Sequence, residues 1–251
     1  MKSSDRSDAN AVEGLIRELG DPHKTVQRRA IDELAAIAAS GDHVVTEKLR
    51  DSVASTDRRV RWAAAYALAQ IGAGAFAIDC ADALGEAMAD DDGDIRWAAT
   101  NLMVQLGRQN ENLPEISRRL LKLAAGGDRN ARKMALYGIR DLEIAGAELI
   151  AVVESAVHDP DVHVRLAALA VLSRLRNASD EAARIVVGCL KSDPDAGVRR
   201  AAASALGNIR SAGGDATAAL TSAAADSGDE SLARAARGAL DRLVKDRLEK
   251  P

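Results

Sequence analysis

Aromatic residues are nearly missing from this chain. It has one Phe, two Tyr and two Trp, 2% of 251 residues, although 47% of the sequence is hydrophobic. The apolar content is therefore mostly Ala, Leu, Val and Ile. Ala is the best helix former, and an Ala/Leu core suits helices packed closely together. Only two cysteines occur, Cys80 and Cys189. That excludes a disulfide framework and any paired-Cys metal motif, and two isolated Cys on apolar stretches read as reduced core residues of a cytoplasmic protein. No stretch approaches 18 uninterrupted apolar residues, so no membrane span is expected. The opening MKSSDRSDANAVEG lacks the apolar centre of a secretory signal, so none is expected. A net charge of −4 excludes a polybasic nucleic-acid binder and disfavours nucleic acid as a partner.

What the chain does have is a repeat. The stretches DRRVRWAAAYALAQIG (57–72) and DGDIRWAATNLMVQLG (92–107) share an Asp, an aliphatic residue and then Arg-Trp-Ala-Ala. With that aliphatic position as an anchor, the pattern recurs at Val26, Val60, Ile95, Ala131, Val164, Val198 and Leu232, at spacings of 33 to 36 residues. Four residues after every anchor stands Ala: Ala30, Ala64, Ala99, Ala135, Ala168, Ala202 and Ala236. Eight and eleven residues after it stand Leu, Ile or Met. Offsets of 0, 4, 8 and 11 follow the helical period, so each block is an amphipathic helix. Three residues before the anchor is Asp in six of seven blocks: Asp57, Asp92, Asp128, Asp161, Asp195 and Asp229. That is where an N-cap carboxylate meets free backbone N–H groups. Pro22, Pro160 and Pro194 break the chain just upstream. Another apolar-periodic segment precedes each cap, for example residues 11–19, 76–88 and 181–190, so each unit is a pair of helices.

The pattern D-x-x-V-R-x-x-A-x-x-A-L-x-x-I-G resembles the HEAT repeat, and more narrowly the short HEAT-like repeats of the phycobilisome bilin lyases. DPDVHVRLAALAVLSRL and DPDAGVRRAAASALGNI carry the resemblance most fully. It implies an all-α, right-handed α-solenoid of about seven helix pairs. The expected organisation is a flexible tail over 1–7 and one repeat domain over 8–250, with repeats at 8–41, 42–74, 75–109, 110–144, 145–178, 179–213 and 214–250. It further implies that the Arg after the anchor pairs with the Asp of a neighbouring repeat. The expected ladder is Asp57, Arg61, Asp92, Arg96, Asp128, Arg132, Asp161, Arg165, Asp195 and Arg199. Gln27 and Ala233 replace the Arg in the end repeats, where one neighbour is missing.

Second helices line the concave side in proteins that resemble this one, and offsets 2, 6 and 9 turn away from the apolar stripe at 100° per residue. Those offsets hold Trp62, Tyr66, Trp97, Asn101, Lys133, Tyr137, Arg140 and Arg200, with Arg174 one position further along its block. Four of the five aromatics thus share one face; Phe76, on a first helix, reads as core. Tyr and Trp dominate interface hot spots, so these nine residues form the candidate partner-binding surface. Local packing over Ala-rich helices is the other reading of the Trp pair. The second-helix blocks hold 20 Lys and Arg against 13 Asp and Glu, in a chain of net charge −4. Such a bias suits an acidic partner.

Catalytic signatures are absent: there is no phosphate-binding loop, no H-E-x-x-H and no nucleophile elbow. The two His of HDPDVH (158–163) flank a proline turn and a helix cap, and DDDGD (90–94) lacks the remaining ligands of a calcium loop. No metal, cofactor or catalytic residue is assigned. The sequence reads as a non-catalytic scaffold or adaptor that binds an acidic or extended segment of a partner protein. Two alternatives come from the resemblance alone. One is a bilin-lyase-like chromophore-attachment factor. The other is an enzyme resembling the HEAT-like alkylpurine DNA glycosylases, and a third alternative, read from the residues themselves, is a nucleic-acid-binding protein that holds RNA or single-stranded DNA without catalysis by stacking Trp and Tyr on bases. Neither partner identity nor oligomeric state is encoded in any recognisable motif.

Overall fold

The caps determine where helices begin. In the computed structural model, which describes residues 2–72, 76, 78–109, 111–175, 180–209 and 213–248, with side chains from 10 to 245, the expected Asp residues stand at helix starts. The Asp57 side chain accepts from Arg59 N, Asp92 from Asp94 N, Asp128 from Ala131 N, Asp161 from His163 N and Val164 N, and Asp195 from Val198 N. Asp229 accepts from Leu232 N at 2.9 Å. Fourteen α-helices follow among the described residues: α1 (Lys2–Glu18), α2 (Lys24–Ala39), α3 (His43–Val53), α4 (Arg58–Ile71), α5 (Ala81–Ala87), α6 (Gly93–Gly107), α7 (Leu113–Gly126), α8 (Arg129–Asp141), α9 (Ala147–Ala156), α10 (Val162–Leu172), α11 (Asp180–Ser192), α12 (Ala196–Leu206), α13 (Gly214–Ala224) and α14 (Glu230–Leu248). Each even-numbered helix is the second helix of a pair, capped by an Asp side chain in all but α2, whose N-cap is His23, and the fold is all-α, of the α-solenoid class.

Two local differences from expectation appear. Helix α1 begins at Lys2, ahead of the boundary placed at residue 8. The 76–88 segment forms a helix only over its second half. Gly72 ends α4 with φ 115°, Phe76 N bonds back to Gly72 O at 3.0 Å, and a 3-10 turn over Ile78–Cys80 leads into α5. Phe76, 1% exposed, is thus a core residue at the entry of the first helix rather than within it.

The chain divides into two compact units, Met1–Ile116 and Ser117–Pro251. In the first, α4 packs against α2, α3, α5 and α6; in the second, α8, α10, α12 and α14 pack in succession, with α11 against α12 and α13 against α14. The seven Ala residues at offset 4 are all 0% exposed. Nothing larger than a methyl group fits where second helices approach this closely. At offset 8, Leu34, Leu68, Met103, Ile139, Leu172 and Leu206 are also fully buried. Gly207, at the end of α12, marks the tightest approach: a Cβ there would lie 2.7 Å from Ala239 Cα.

The Arg residues join successive pairs, but not through the expected acceptors. Arg132 Nε and Nη2 donate to both oxygens of Asp159 at 2.7 and 3.0 Å, and Arg165 does the same to Asp193 at 2.9 and 3.1 Å. These acceptors sit two residues before the caps Asp161 and Asp195. Asp159 and Asp193 each also accept the backbone N–H of the cap, at 2.8 and 2.9 Å, while the caps Asp161 and Asp195 accept from the first turns of their own helices. Where the sequence has no carboxylate two residues before the cap, the bond changes. Arg199 reaches only the cap Asp229, at 3.8 Å. In the first unit Arg61 Nε turns to Glu86 at 2.8 Å, because Asp90 is taken by Arg58 at 2.6 Å. Each Arg also points Nη1 back at its own turn: Arg61 to Ser55 O, Arg96 to Asp90 O, Arg132 to Gly127 O, Arg165 to Asp159 O and Arg199 to Asp193 O. In the first repeat Gln27 Nε2 makes a comparable backward bond, to Leu19 O at 2.8 Å.

Candidate functional site

The second helices present different chemistry in the two units. In the first, Trp62 and Tyr66 lie one turn apart on α4, with ring centroids 5.3 Å apart and planes tilted by 50°. Both are half-buried. Trp97, at the same register on α6, is 46% exposed, and Asn101 one turn on is exposed. Trp62 is the wall between two hollows. One, of about 360 Å³, runs along the helix starts and is lined by Asp21, Lys24, Asp57, Arg59, Glu86 and Asp92, among others. The other, of about 310 Å³, has Ile31, Ile95 and Ala98 as its apolar lining, Tyr66 beside Trp62, and Asp32 and Asp94 as its carboxylates. Lys24, Gln27 and Ile95 line both.

These hollows exist because the anchors of this unit are not sealed. Val26, Val60 and Ile95 stay partly exposed, while their counterparts Val164 and Val198 are 0% exposed. Lys24 crosses the opening: its Nζ is hydrogen-bonded to Asp92 Oδ2, from the start of α2 to the cap of α6, passing over the intervening α4. The Asp21 carboxyl is held below the usual aspartate range by the backbone N–H and ring of His23. Taken together, the two linings carry more carboxylates than cations, contrary to the excess of cations in the second-helix blocks as a whole.

Most of that excess lies in the second unit. Lys133 on α8, Arg200 on α12 and Arg234 on α14 occupy the same register, with Leu166 between them on α10. Arg242, exposed on α14, touches Ser204 O of α12 at 3.4 Å, and Arg174 is exposed just beyond α10. Arg140 is less available. Its guanidinium is forked onto Asp141 at 2.7 and 3.1 Å, which raises its pKa, and its Cζ lies 4.9 Å from the Tyr137 ring centroid. The nine sequence-derived residues therefore fall into an aromatic group, Trp62, Tyr66, Trp97 and Asn101, and a basic group around Lys133, Tyr137, Arg140, Arg174 and Arg200, one in each unit. Among the described residues, no three His, Cys, Asp or Glu side chains gather into a metal-holding group. No helix there is long and apolar enough to cross a membrane.

The HEAT-repeat family profile matches residues 12–104 and 117–207. The chain belongs to the HEAT-repeat family. Solved structures agree on the fold. The archaeal HEAT-like repeats protein from Thermococcus onnurineus NA1 is 13% identical, over 94% of this chain and 97% of that one, with a TM-score of 0.56. The Escherichia coli protein YibA is 18% identical over 98% of both chains, also with a TM-score of 0.56. Importin beta is 15% identical over 96% of this chain and 36% of its own, with a TM-score of 0.62. No curated protein matches significantly.

Within the HEAT framework, sequence reading missed three participants of the aromatic site. Ile31 lies at offset 5, one residue past the invariant Ala. Gln27 replaces the ladder Arg. Lys24 precedes the anchor. The departure of the first repeat from the Asp and Arg pattern, with His23 and Gln27 in their places, was the available signal.

Proposed function

We propose that this HEAT-repeat chain is a non-catalytic interaction scaffold that takes an extended, acidic segment of a partner protein on the second-helix face of its second unit. The observation that carries the reading is the register of Lys133, Arg200 and Arg234 on successively packed helices. An acidic strand lying across this row gains long-range electrostatic attraction. Leu166 in the gap supplies an apolar contact. The aromatic face of the first unit is, in the same reading, a contact of its own for an extended partner segment. Cys80 and Cys189 are buried and not joined in a disulfide, which accords with a cytoplasmic setting.

The test is binding of a fluorescein-labelled decaglutamate peptide to the full chain, followed by anisotropy. Arg200→Glu with Arg234→Glu is expected to weaken binding at least tenfold, and wild-type binding to weaken steeply with salt. Binding indifferent to both refutes the acidic-segment reading. A single-stranded oligonucleotide that binds more tightly than the peptide, and depends on the same two Arg, would put nucleic acid in its place. Covalent bilin absorbance after co-expression with a bilin source would favour the chromophore-attachment alternative.

A further inference from the structure

The Trp62 hollows carry the opposite charge preference from the second unit, and a cation already sits at them. Lys24 extends from the first turn of α2 to Asp92, and both residues line the larger hollow. Lys24 also lines the smaller one. This side chain is 58% exposed, so water can replace it at little cost, and exposed pairs of this kind contribute little to stability. Beyond it, Asp32 and Asp94 line the smaller hollow, and neither carboxylate has a hydrogen-bond or ion-pair partner among the described residues. The cation on that lining not already paired is Arg28. The apolar lining consists of Ile31, Ile95 and Ala98, bounded by the Trp62 and Tyr66 rings. An aromatic face beside an apolar channel that ends in carboxylates matches one kind of group: a long aliphatic stem with a terminal cation.

We infer that the Trp62 site receives an arginine or lysine side chain from an extended segment of a partner protein, and that Lys24 is the resident cation it displaces. The stem lies along Ile31, Ile95 and Ala98, the charged head stacks against Trp62, and Asp94, Asp32 and the vacated Asp92 neutralise it. This deepens the proposed function, resting on its claim that the aromatic face contacts an extended segment, and assigns that face a partner chemistry distinct from the acidic one. It also explains why the hollows are richer in carboxylates than the rest of the second-helix surface.

The chain has two Trp residues, so ¹⁵N-labelled protein gives two indole N–H resonances, and Trp97→Phe assigns the one from Trp62. The probes are two unlabelled heptapeptides, Gly-Arg-Gly-Arg-Gly-Arg-Gly and its glutamate counterpart. The arginine peptide is expected to shift the Trp62 indole saturably and the glutamate peptide to leave it in place. Asp32→Asn with Asp94→Asn, both at exposed positions, is expected to weaken the arginine peptide about tenfold, with unchanged circular dichroism. Lys24→Met, which removes the competitor, is expected to tighten it several-fold. The inference is overturned by no shift with the arginine peptide, by an equal shift with the glutamate peptide, by indifference to the two Asp changes, or by weaker binding in Lys24→Met. Arg200-dependent decaglutamate binding with a silent Trp62 would overturn this inference alone. Loss of both responses would overturn the scaffold reading with it.

Discussion

Replacing Asp193 by Ala tests whether the carboxylates two residues before the caps hold the repeats together. Asp193 accepts Arg165 Nε at 2.9 Å, Arg165 Nη2 at 3.1 Å and the backbone N–H of Asp195 at 2.9 Å. Its side chain is 5% exposed and that of Arg165 is 11% exposed, so water cannot substitute freely for either partner. The substitution leaves a guanidinium that keeps only its bonds to Asp159 O and Pro160 O. Breaking a buried pair from one side costs about 3–5 kcal/mol. Asp193→Asn keeps one oxygen, the acceptor of Asp195 N–H and Arg165 Nη2, but sets an NH2 donor against Arg165 Nε and removes the charge, so it should recover only part of that loss. Arg165→Met with Asp193→Ala should cost less than the two single changes added together, with a coupling of about 1–3 kcal/mol. Because repeat arrays unfold in parts, the assay is urea denaturation by circular dichroism paired with hydrogen exchange read by peptide. The loss should centre on α10 to α12. If Asp193→Ala falls within about 0.5 kcal/mol of wild type, with unchanged exchange in those helices, the ladder is decoration.

Other outcomes follow from the same packing. Leu172→Ala, at a fully buried position, should cost about 2–5 kcal/mol in denaturant, whereas Trp62→Ala with Trp97→Ala, on half-buried and exposed residues, should cost much less; equal losses would make the Trp pair core. Gly207→Ala pushes a Cβ against Ala239 and should cost about 1–3 kcal/mol, visible as a lowered Tm. Glu143→Gly should stabilise by about 1 kcal/mol in urea titration, because Glu143 holds φ 52° at the end of α8, where Ile144 N bonds to Ile139 O and Glu143 N to Arg140 O, a terminus that favours glycine. Burial and then the nearby Asp193 push the Cys189 thiol up to about 11. At pH 8 its thiolate fraction is therefore about one in a thousand, and reaction with a disulfide reagent should wait on unfolding and speed up in urea.

The apolar stripe was legible because its logic is local. Ala at offset 4 and a large aliphatic residue at offset 8 follow from helical geometry alone, and both proved buried almost without exception. The caps were legible for the same reason, since an N-cap needs only its own next two or three N–H groups. The ladder was misassigned because its geometry is not local. At α10 and α12 the cap carboxylates are turned to their own helix starts and the guanidinium is met by Asp159 and Asp193, whereas the cap Asp229 both accepts Leu232 N–H and lies 3.8 Å from Arg199. In a list of aligned blocks Asp159 and Asp193 look like turn residues. The short helix after Phe76 was missed because periodicity does not register a 3-10 entry.

Charge at the site was the hardest feature to read, and the reason is instructive. Summing Lys and Arg over the second-helix blocks treats their surface as one field, yet a side chain contributes to the chemistry of a hollow only if it lines that hollow. Asp21, Asp90 and Glu86 lie outside or before the blocks and still line the Trp62 opening, while Arg61, counted as basic surface, is spent on Glu86 and Ser55 O. A HEAT repeat commits its Asp, Arg, Ala and Leu positions to stacking, so specificity is left to the few offsets that stacking does not use. In the first unit those offsets carry Trp62, Tyr66, Asp32 and Trp97; in the second they carry Lys133, Arg200 and Arg234. The repeat scaffold is the same in both units, and the side chains at those offsets differ in charge and aromatic character.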